Sequence, residues 1–198
     1  MQNLYHNSSW WTAAGSMRKW SECLFRHSLA VADLALQIGL QMGVSHSERE
    51  VLQAGGFLHD LGKASWPQSL VDRCPLAETD WQIIKTHPLV GAELAREMGC
   101  SKDEIVLRVI REHHEHGDKA YPAGYKDLHP LSRIVIVAEL YTAMTEHRPY
   151  RPQPLSCKDA LHILSQNGHN QIIVKALEQV IKEMWNDSPH PLAKVCEI

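Results

Sequence analysis

The stretch FLHDLGK, residues 57–63, decides the fold, because here a helical pattern ends in an adjacent histidine and aspartate. Apolar residues lead up to it at helical spacing, and Ser45 or Ser47 supplies an N-cap. Imidazole suits divalent transition metals, and a carboxylate can bridge two of them. In the alternative interpretation, Asp60 only terminates the helix and Lys63 is an ordinary C-terminal helix charge.

Outward from this stretch, apolar stripes at spacings of three and four predict helices along most of the chain. No alternating strand pattern and no internal repeat occurs, so we expect an all-α bundle of about seven to eight helices. Residues 1–17 have no periodicity and are expected to form an N-terminal extension to a domain of residues 18–198. The predicted helices run over residues 20–42, 45–58, 79–86, 88–98, 101–114, 130–147, 157–165 and 171–184.

Charge and composition exclude several classes of protein. The chain has 20 basic and 23 acidic residues and no long basic run, which argues against sequence-independent binding of DNA or RNA. Its start resembles no signal peptide, and no run of about 18 apolar residues predicts a membrane span, so we expect a cytoplasmic protein. The 13 histidines are the outlier in composition, and no Cys-x-x-Cys pair accompanies them.

Five helical segments each bring candidate metal ligands, at intervals of 25 to 32 residues. Two of the histidines, His27 and His113, project from apolar stripes and not from solvent faces. For any single histidine, a hydrogen-bonded core residue is the simpler explanation. The joint pattern instead indicates one ligand set per helix, facing the core of a bundle. The candidates are His27, His59, Asp60, His87, His113, His114 and Glu139.

The motifs follow one another in a characteristic order. They are RHSLAVADLA, FLHDLGK, HPLVGAEL, HHEHGDKAYPAGY, SRIVIVAELYTAMTEHRPYR and CKDALHIL. This series resembles the HD-domain phosphohydrolases, and more narrowly the HD-GYP group of cyclic di-GMP phosphodiesterases. The resemblance extends from about residue 26 to residue 180 and implies an HD-domain helical bundle with the metal site in its core.

The resemblance also implies roles for individual residues. The seven candidates become ligands of two divalent ions, with Asp60 bridging them and a metal-bridging hydroxide attacking a phosphodiester. The metals are iron or manganese, with nickel, cobalt and zinc compatible with the ligands. Catalysis is then assigned to Asp60 and Lys63. Substrate contacts are assigned to Lys63, Tyr121, Pro122, Arg148 and Arg151, although the two arginines also fit an ordinary helix-ending surface turn.

The chain departs from the family pattern at several positions. Glu139 stands where an aspartate is typical, and its extra methylene moves the carboxylate by roughly 1 Å. Thr142 also replaces an aspartate. In the loop after His114, Lys119 and Ala120 replace glycines and one residue is missing, which predicts a reshaped substrate groove. Cys23 occupies the position of the glutamate that accompanies a third metal, so we expect two metals.

Three functions fit these observations. The first is a phosphodiesterase that converts cyclic di-GMP to pGpG and further to GMP. The second is a catalytically weak module that binds a nucleotide or a protein, and the third is a nucleotidase or phosphatase acting on another phosphate ester. The sequence holds no receiver or other sensory domain. We therefore expect either a freestanding enzyme or one regulated by a partner, such as a sensory protein or a GGDEF-type cyclase. Family analogy alone suggests the cyclase.

Overall fold

The structure is a computed structural model that describes residues 8–70, 76–147 and 153–186. Every regular element within these ranges is helical, which confirms the all-α prediction, with nine α-helices there against the seven to eight predicted. Two short 3-10 helices, Leu61–Ser65 and Gln68–Leu70, follow the third α-helix. The α-helices are α1 Ser8–Trp20, α2 Glu22–Gln41, α3 His46–Leu58, α4 Glu78–Ile84, α5 His87–Glu97, α6 Glu104–Glu112, α7 Pro130–Thr145, α8 Cys157–Gln166 and α9 Gln171–Asn186.

Most helix ends follow the local sequence chemistry. Ser45 begins α3 with a full capping box, in which its side chain accepts from the Glu48 backbone N–H and the Glu48 side chain accepts from the Ser45 N–H. Gly43 ends the preceding helix with a φ of +72°, a left-handed conformation that glycine adopts without strain. The capping box predicted at 101–104 is wrong, because Asp103 is the N-cap of α6 and accepts from the Ile105 N–H.

The core is built around α2, which packs against α3, α7, α1 and α9. Its stripe of Val31, Ala35 and Ile38 is fully buried. Among the described helices, only α2 is long and apolar enough to cross a membrane. Half of its apolar window is buried inside the protein, and one of its buried side chains is His27, so this helix has the pattern of a core helix.

Helix α1 shows that the lead-in to the domain is ordered from residue 8 onward. Its side chains Ala13 and Met17 are fully buried in the core. The ring of Trp10 lies 5.7 Å from that of Phe57, and the thiol of Cys100 donates to the Ser9 carbonyl over 3.3 Å. The sequence did not predict this helix, because two buried side chains four residues apart are too few to give residues 1–17 a visible apolar stripe.

A close backbone contact places the 3-10 helix after α3 against the start of α5. A Cβ added to Gly62 would lie 2.2 Å from the His87 carbonyl oxygen and 2.8 Å from the Gly91 backbone nitrogen. Only glycine permits this approach, since both obstructing atoms belong to the backbone. The contact brings the end of α3, with its His-Asp pair, beside the histidine that opens α5.

Candidate metal centre

Asp60 lies at the centre of the site and is 1% exposed. It follows the C-cap residue of α3, His59, and precedes the 3-10 helix, so the chain turns at this point and directs the carboxylate inward. Its Oδ1 lies 3.1 Å from His87 Nε2 and 3.7 Å from His113 Nε2. Its Oδ2 lies 3.3 Å from His59 Nε2. The two oxygens of one carboxylate thus face different histidines.

Three of the histidines are oriented in the same way by the backbone. The Nδ1–H groups of His59, His87 and His113 each donate over 2.7 Å to the carbonyl three residues earlier. A carbonyl can only accept, so Nδ1 carries the proton and the Nε2 lone pair of the neutral ring remains available. Metal-bound histidines are typically held by such a bond from the other ring nitrogen.

The potential ligand atoms form two groups that share Asp60. Asp60, His87, His113 and His114 make up one group, and Asp60, His27 and His59 make up the other, with the ligand atoms of each group within 4.8 Å of one another. Asp60 belongs to both. A carboxylate shared by two histidine groups is the arrangement in which one aspartate could bridge two metal ions.

The protonation states of these side chains leave their lone pairs free to bind metal ions. Burial, followed by the repulsion of His59 and His87, lowers the pKa of His113 to about 3 despite the opposing effect of Asp60. Burial likewise lowers the pKa of His87 and of His114. Burial would raise the pKa of Asp60, but the attraction of Lys63 and His59 outweighs it and holds that pKa well below its usual value. Around Asp60 Oδ1 the donor set is therefore an ionised carboxylate with the neutral imidazoles of His87, His113 and His114.

These buried acceptor atoms have too few hydrogen-bond donors around them to be satisfied by the protein alone. His87 Nε2 and His113 Nε2 approach to 3.0 Å, and both carry lone pairs directed toward the anionic Asp60 Oδ1. Within the described ranges, His59 Nε2 and Asp60 Oδ1 are buried without any hydrogen-bond partner. Converging acceptors of this kind cost free energy unless a positive charge lies between them. The residues present therefore fit bound divalent metal.

The remaining two predicted ligands are held differently. His27 is buried, its ring lies 5.4 Å from that of His59, and its Nδ1 lies 2.8 Å from Glu146 Oε2. Glu139 is also buried, at 8% exposure, but it joins neither group of ligand atoms. Its Oε2 has no hydrogen-bond partner among the residues that the structure describes. This buried, unsatisfied oxygen is available to a cation.

Lys63 and an aromatic residue border the metal centre. Lys63 Nζ lies 2.6 Å from Asp60 Oδ2, and its side chain is 20% exposed. The same ammonium lies 5.9 Å from the ring centroid of Trp66, within range of a cation–π interaction. The Trp66 ring in turn meets His87 edge-on at 5.5 Å. Lys63 is thus the positive charge that borders both the carboxylate and solvent.

The loop after α6 covers the other side of the centre. The ring of Tyr121 stacks on His114 with the centroids 4.5 Å apart, and the Tyr121–Pro122 peptide bond is cis. Burial, reinforced by the charges of Asp60 and Glu139, raises the pKa of the Tyr121 phenol, so its hydroxyl keeps the proton. The structure therefore places Tyr121 beside the metal centre, and its contact with substrate stays a prediction.

Two glutamates that sequence reasoning missed hold this loop in place. Glu115 is 2% exposed, and its carboxylate accepts from the backbone N–H groups of Ala123, Gly124 and Tyr125 over 2.7, 2.8 and 3.1 Å. Glu112 is also buried and accepts from the His129 N–H over 2.9 Å. They flank His113 and His114 in the sequence, but only the fold shows that they bind the loop.

Three further residues belong to the motifs quoted above, and the structure describes only His116 among them. His116, which the sequence analysis left outside the ligand set, is half-buried, and its ring lies 6.4 Å from that of His114. Burial lowers its pKa, against the attraction of Glu139. Arg148 and Arg151 lie outside the described residues, so their role at the site stays a prediction.

Comparisons with known proteins show the family to which the chain belongs. The family model described as the HD domain matches residues 24–144. A 3′3′-cGAMP-specific phosphodiesterase of Vibrio cholerae is 28% identical over 83% of this chain and 37% of its own length. A cyclic di-GMP phosphodiesterase of Pseudomonas aeruginosa is 30% identical over 75% of this chain and 36% of its own length. The chain thus spans little more than a third of these relatives.

Two solved structures share the fold. The HD domain of a phosphodiesterase of L. monocytogenes, solved in complex with cyclic di-AMP, matches with a TM-score of 0.67 and 16% identity over 90% of this chain and 99% of that chain. An HDG"Y"P protein of Bdellovibrio bacteriovorus matches with a TM-score of 0.62 and 23% identity over 79% of this chain and 51% of that chain. With the family model covering more than half of its residues, the chain belongs to the HD-domain family, and its likeness to the HD-GYP group is confirmed.

Proposed function

We propose that this protein is a metal-dependent phosphodiesterase that hydrolyses cyclic di-GMP to pGpG and further to GMP. The observation that carries the proposal is the position of Asp60, whose two oxygens face two separate histidine groups. Relatives named as phosphodiesterases of cyclic di-GMP and of 3′3′-cGAMP support the substrate class. We further propose that the active domain comprises residues 18–198, that residues 1–17 extend it, and that it acts in the cytoplasm.

In this proposal the metal centre holds two divalent ions, iron or manganese. Asp60 would be a ligand shared by both ions, and the buried Glu139 would contribute a carboxylate from α7. Bound metal ions would activate water and offset the charge of phosphoryl oxygens. The proposed ligands are His27, His59, Asp60, His87, His113, His114 and Glu139.

Lys63 is the residue we assign to the attacked phosphate. Its ammonium lies 2.6 Å from Asp60 Oδ2 and is partly exposed, so it can pair with a phosphoryl oxygen while it remains close to the carboxylate. Tyr121 and Pro122 would form the opposite wall of the substrate groove, with a neutral phenol as hydrogen-bond donor. Arg148 and Arg151 are proposed to contact the anionic substrate as well, because a guanidinium binds phosphate through two parallel hydrogen bonds.

The test is turnover by protein that is purified without oxygen and loaded with Mn²⁺ or Fe²⁺. Cyclic di-GMP, 3′3′-cGAMP, pGpG, mononucleotides and a generic phosphodiester would be compared, with metal content measured on the same samples. We expect cyclic di-GMP to give pGpG and then GMP, and Asp60→Asn to lose both metal and activity. A filled metal site without turnover of any cyclic dinucleotide would refute the proposal, and preference for mononucleotides would identify a nucleotidase.

One observation favours a second candidate, a module that binds a cyclic dinucleotide with little hydrolysis. Glu139 does not join either group of ligand atoms, although it occupies the position where the family typically has an aspartate. A misplaced carboxylate would weaken the metal centre while leaving the groove able to bind nucleotide. This candidate predicts measurable affinity for cyclic di-GMP together with negligible turnover, and both can be measured on the same preparation.

A further inference from the structure

A second pair of histidines lies beside the metal centre and takes no part in it. His116 follows the ligand pair at the end of α6, and His169 lies in the turn between α8 and α9. Their ring centroids are 5.8 Å apart. The ring of His116 also lies 6.4 Å from that of His114, so the pair is joined to the metal centre through one ligand.

The turn that carries His169 is otherwise open to solvent. Asn167, Gly168 and Asn170 are all exposed, whereas His169 is half-buried. Gly168, with a φ of +72°, reverses the chain, and the side chain of Asn170 accepts from the backbone N–H of Ile172 in the first turn of α9. Local capping chemistry therefore accounts for the neighbours of His169 but not for its inward position against His116.

The ring nitrogens of the two histidines are available to a ligand. Within residues 8–70, 76–147 and 153–186, neither imidazole makes a hydrogen bond to another residue. Both rings are half-buried, so each keeps part of its surface accessible. An imidazole offers a donor and an acceptor together with a flat face, and a purine edge, a ribose hydroxyl and a phosphate oxygen can each bind such a surface.

We propose that His116 and His169 form a subsite for the distal nucleotide of a cyclic dinucleotide, the half that is not being cleaved. The proposal rests on the proposed function, because it takes the attacked phosphodiester to lie beside Asp60 and Lys63. A cyclic dinucleotide held there carries a second nucleotide that must extend over the adjoining surface. The row of rings from His114 through His116 to His169 provides polar contacts from the metal centre to the surface of the protein.

The test compares two substrates of different size with the metal-loaded protein. Cyclic di-GMP has a distal nucleotide, whereas bis(4-nitrophenyl) phosphate is a phosphodiester that has none. His169→Ala should raise KM for cyclic di-GMP roughly tenfold, the effect of losing one hydrogen bond, and leave kcat/KM for the small substrate unchanged. His169→Gln, which keeps a donor and an acceptor, should restore most of the affinity.

The matched control is His162→Ala, which removes an exposed histidine from α8. It should leave KM for cyclic di-GMP and kcat/KM for the small substrate unchanged. An unchanged KM for cyclic di-GMP in His169→Ala would overturn the subsite, and so would an equal loss on both substrates. If the wild-type protein turns over neither substrate, that result counts against the proposed function and not against the subsite. The subsite would then be judged by calorimetric binding of cyclic di-GMP, which His169→Ala should weaken by a similar factor.

Discussion

Lys63 Nζ lies 2.6 Å from Asp60 Oδ2, so the cation next to the metal centre is paired with the carboxylate shared by both histidine groups. Burial raises the pKa of Asp60, and Lys63 is the largest of the influences that lower it. Lys63 has a second role in the proposed function, as the contact for the attacked phosphate. The two roles make separate predictions for a variant that lacks the charge.

Replacing Lys63 by methionine should lower kcat roughly a hundredfold, which is typical for the loss of one charged group that stabilises a transition state. Because the pKa of Asp60 then rises, the loss of activity at acidic pH should begin at a higher pH than in the wild type. Lys63→Arg, which keeps the charge, should retain the wild-type pH profile at reduced kcat. Steady-state rates from pH 5 to 9 with metal analysis would check this, and an unaltered kcat in Lys63→Met would contradict it.

Glu115→Gln should disturb the substrate loop without removing metal. Both carboxylate oxygens accept backbone N–H groups, so an amide NH₂ in place of one oxygen would face a donor. We expect KM for cyclic di-GMP to rise about tenfold, since a buried group without a partner costs about 1–3 kcal/mol. The control is Asp118→Asn, an exposed position in the same loop. Loss of metal from Glu115→Gln would show that the glutamate supports the ligands and not the loop.

Glu139→Leu should reduce the number of metal ions bound per chain. Its Oε2 is buried without a hydrogen-bond partner in the described part of the chain, and a leucine of similar volume removes that oxygen without opening a large cavity. Glu139→Asp should keep the metal and raise turnover if the longer side chain misplaces the carboxylate. Metal analysis of both variants decides the matter, and full metal content in Glu139→Leu would remove this glutamate from the ligand set.

Gly62→Ala should destabilise the protein by about 1–3 kcal/mol, because the new methyl group would meet backbone atoms of α5 that cannot rotate away. Gly15→Ala is the matched control, an exposed position within α1 where a Cβ would have nothing within 4 Å. It should stabilise the protein by about 0.5–1 kcal/mol through helix propensity. Denaturant unfolding measures both effects, and equal stability of the two variants would show that the contact with α5 is not tight.

Cys23 and Cys100, both free thiols in the described part of the chain, should differ in reactivity. Burial raises the pKa of Cys100 to about 11, and its thiol donates to the Ser9 carbonyl, so at pH 8 little of it is thiolate. Cys23 is exposed. Iodoacetamide at pH 8 should therefore modify Cys23 at least tenfold faster, as followed by mass spectrometry of peptides. Rapid modification of Cys100 in the folded protein would show that α1 separates readily from the domain.

The sequence alone predicted the fold class and most of the helices. Ser45 begins a helix where its capping side chain predicted, Ser156 caps α8 in the same way, and Gly43 and Gly168 end helices in the left-handed conformation. These features depend on residues within one or two turns of one another. Helix α1 was missed because its burial depends on partners such as Phe57 and Cys100, which lie far along the chain.

The sequence by itself also determined which residues could be ligands, because few side chains bind divalent metals and the intervals place one set on each helical segment. Only the tertiary structure decided how their atoms meet. It divided the histidines between the two oxygens of Asp60, left Glu139 outside both groups, and directed Glu115 to the loop. Contacts between distant segments depend on how helices pack and where loops turn, and local periodicity carries no information about either.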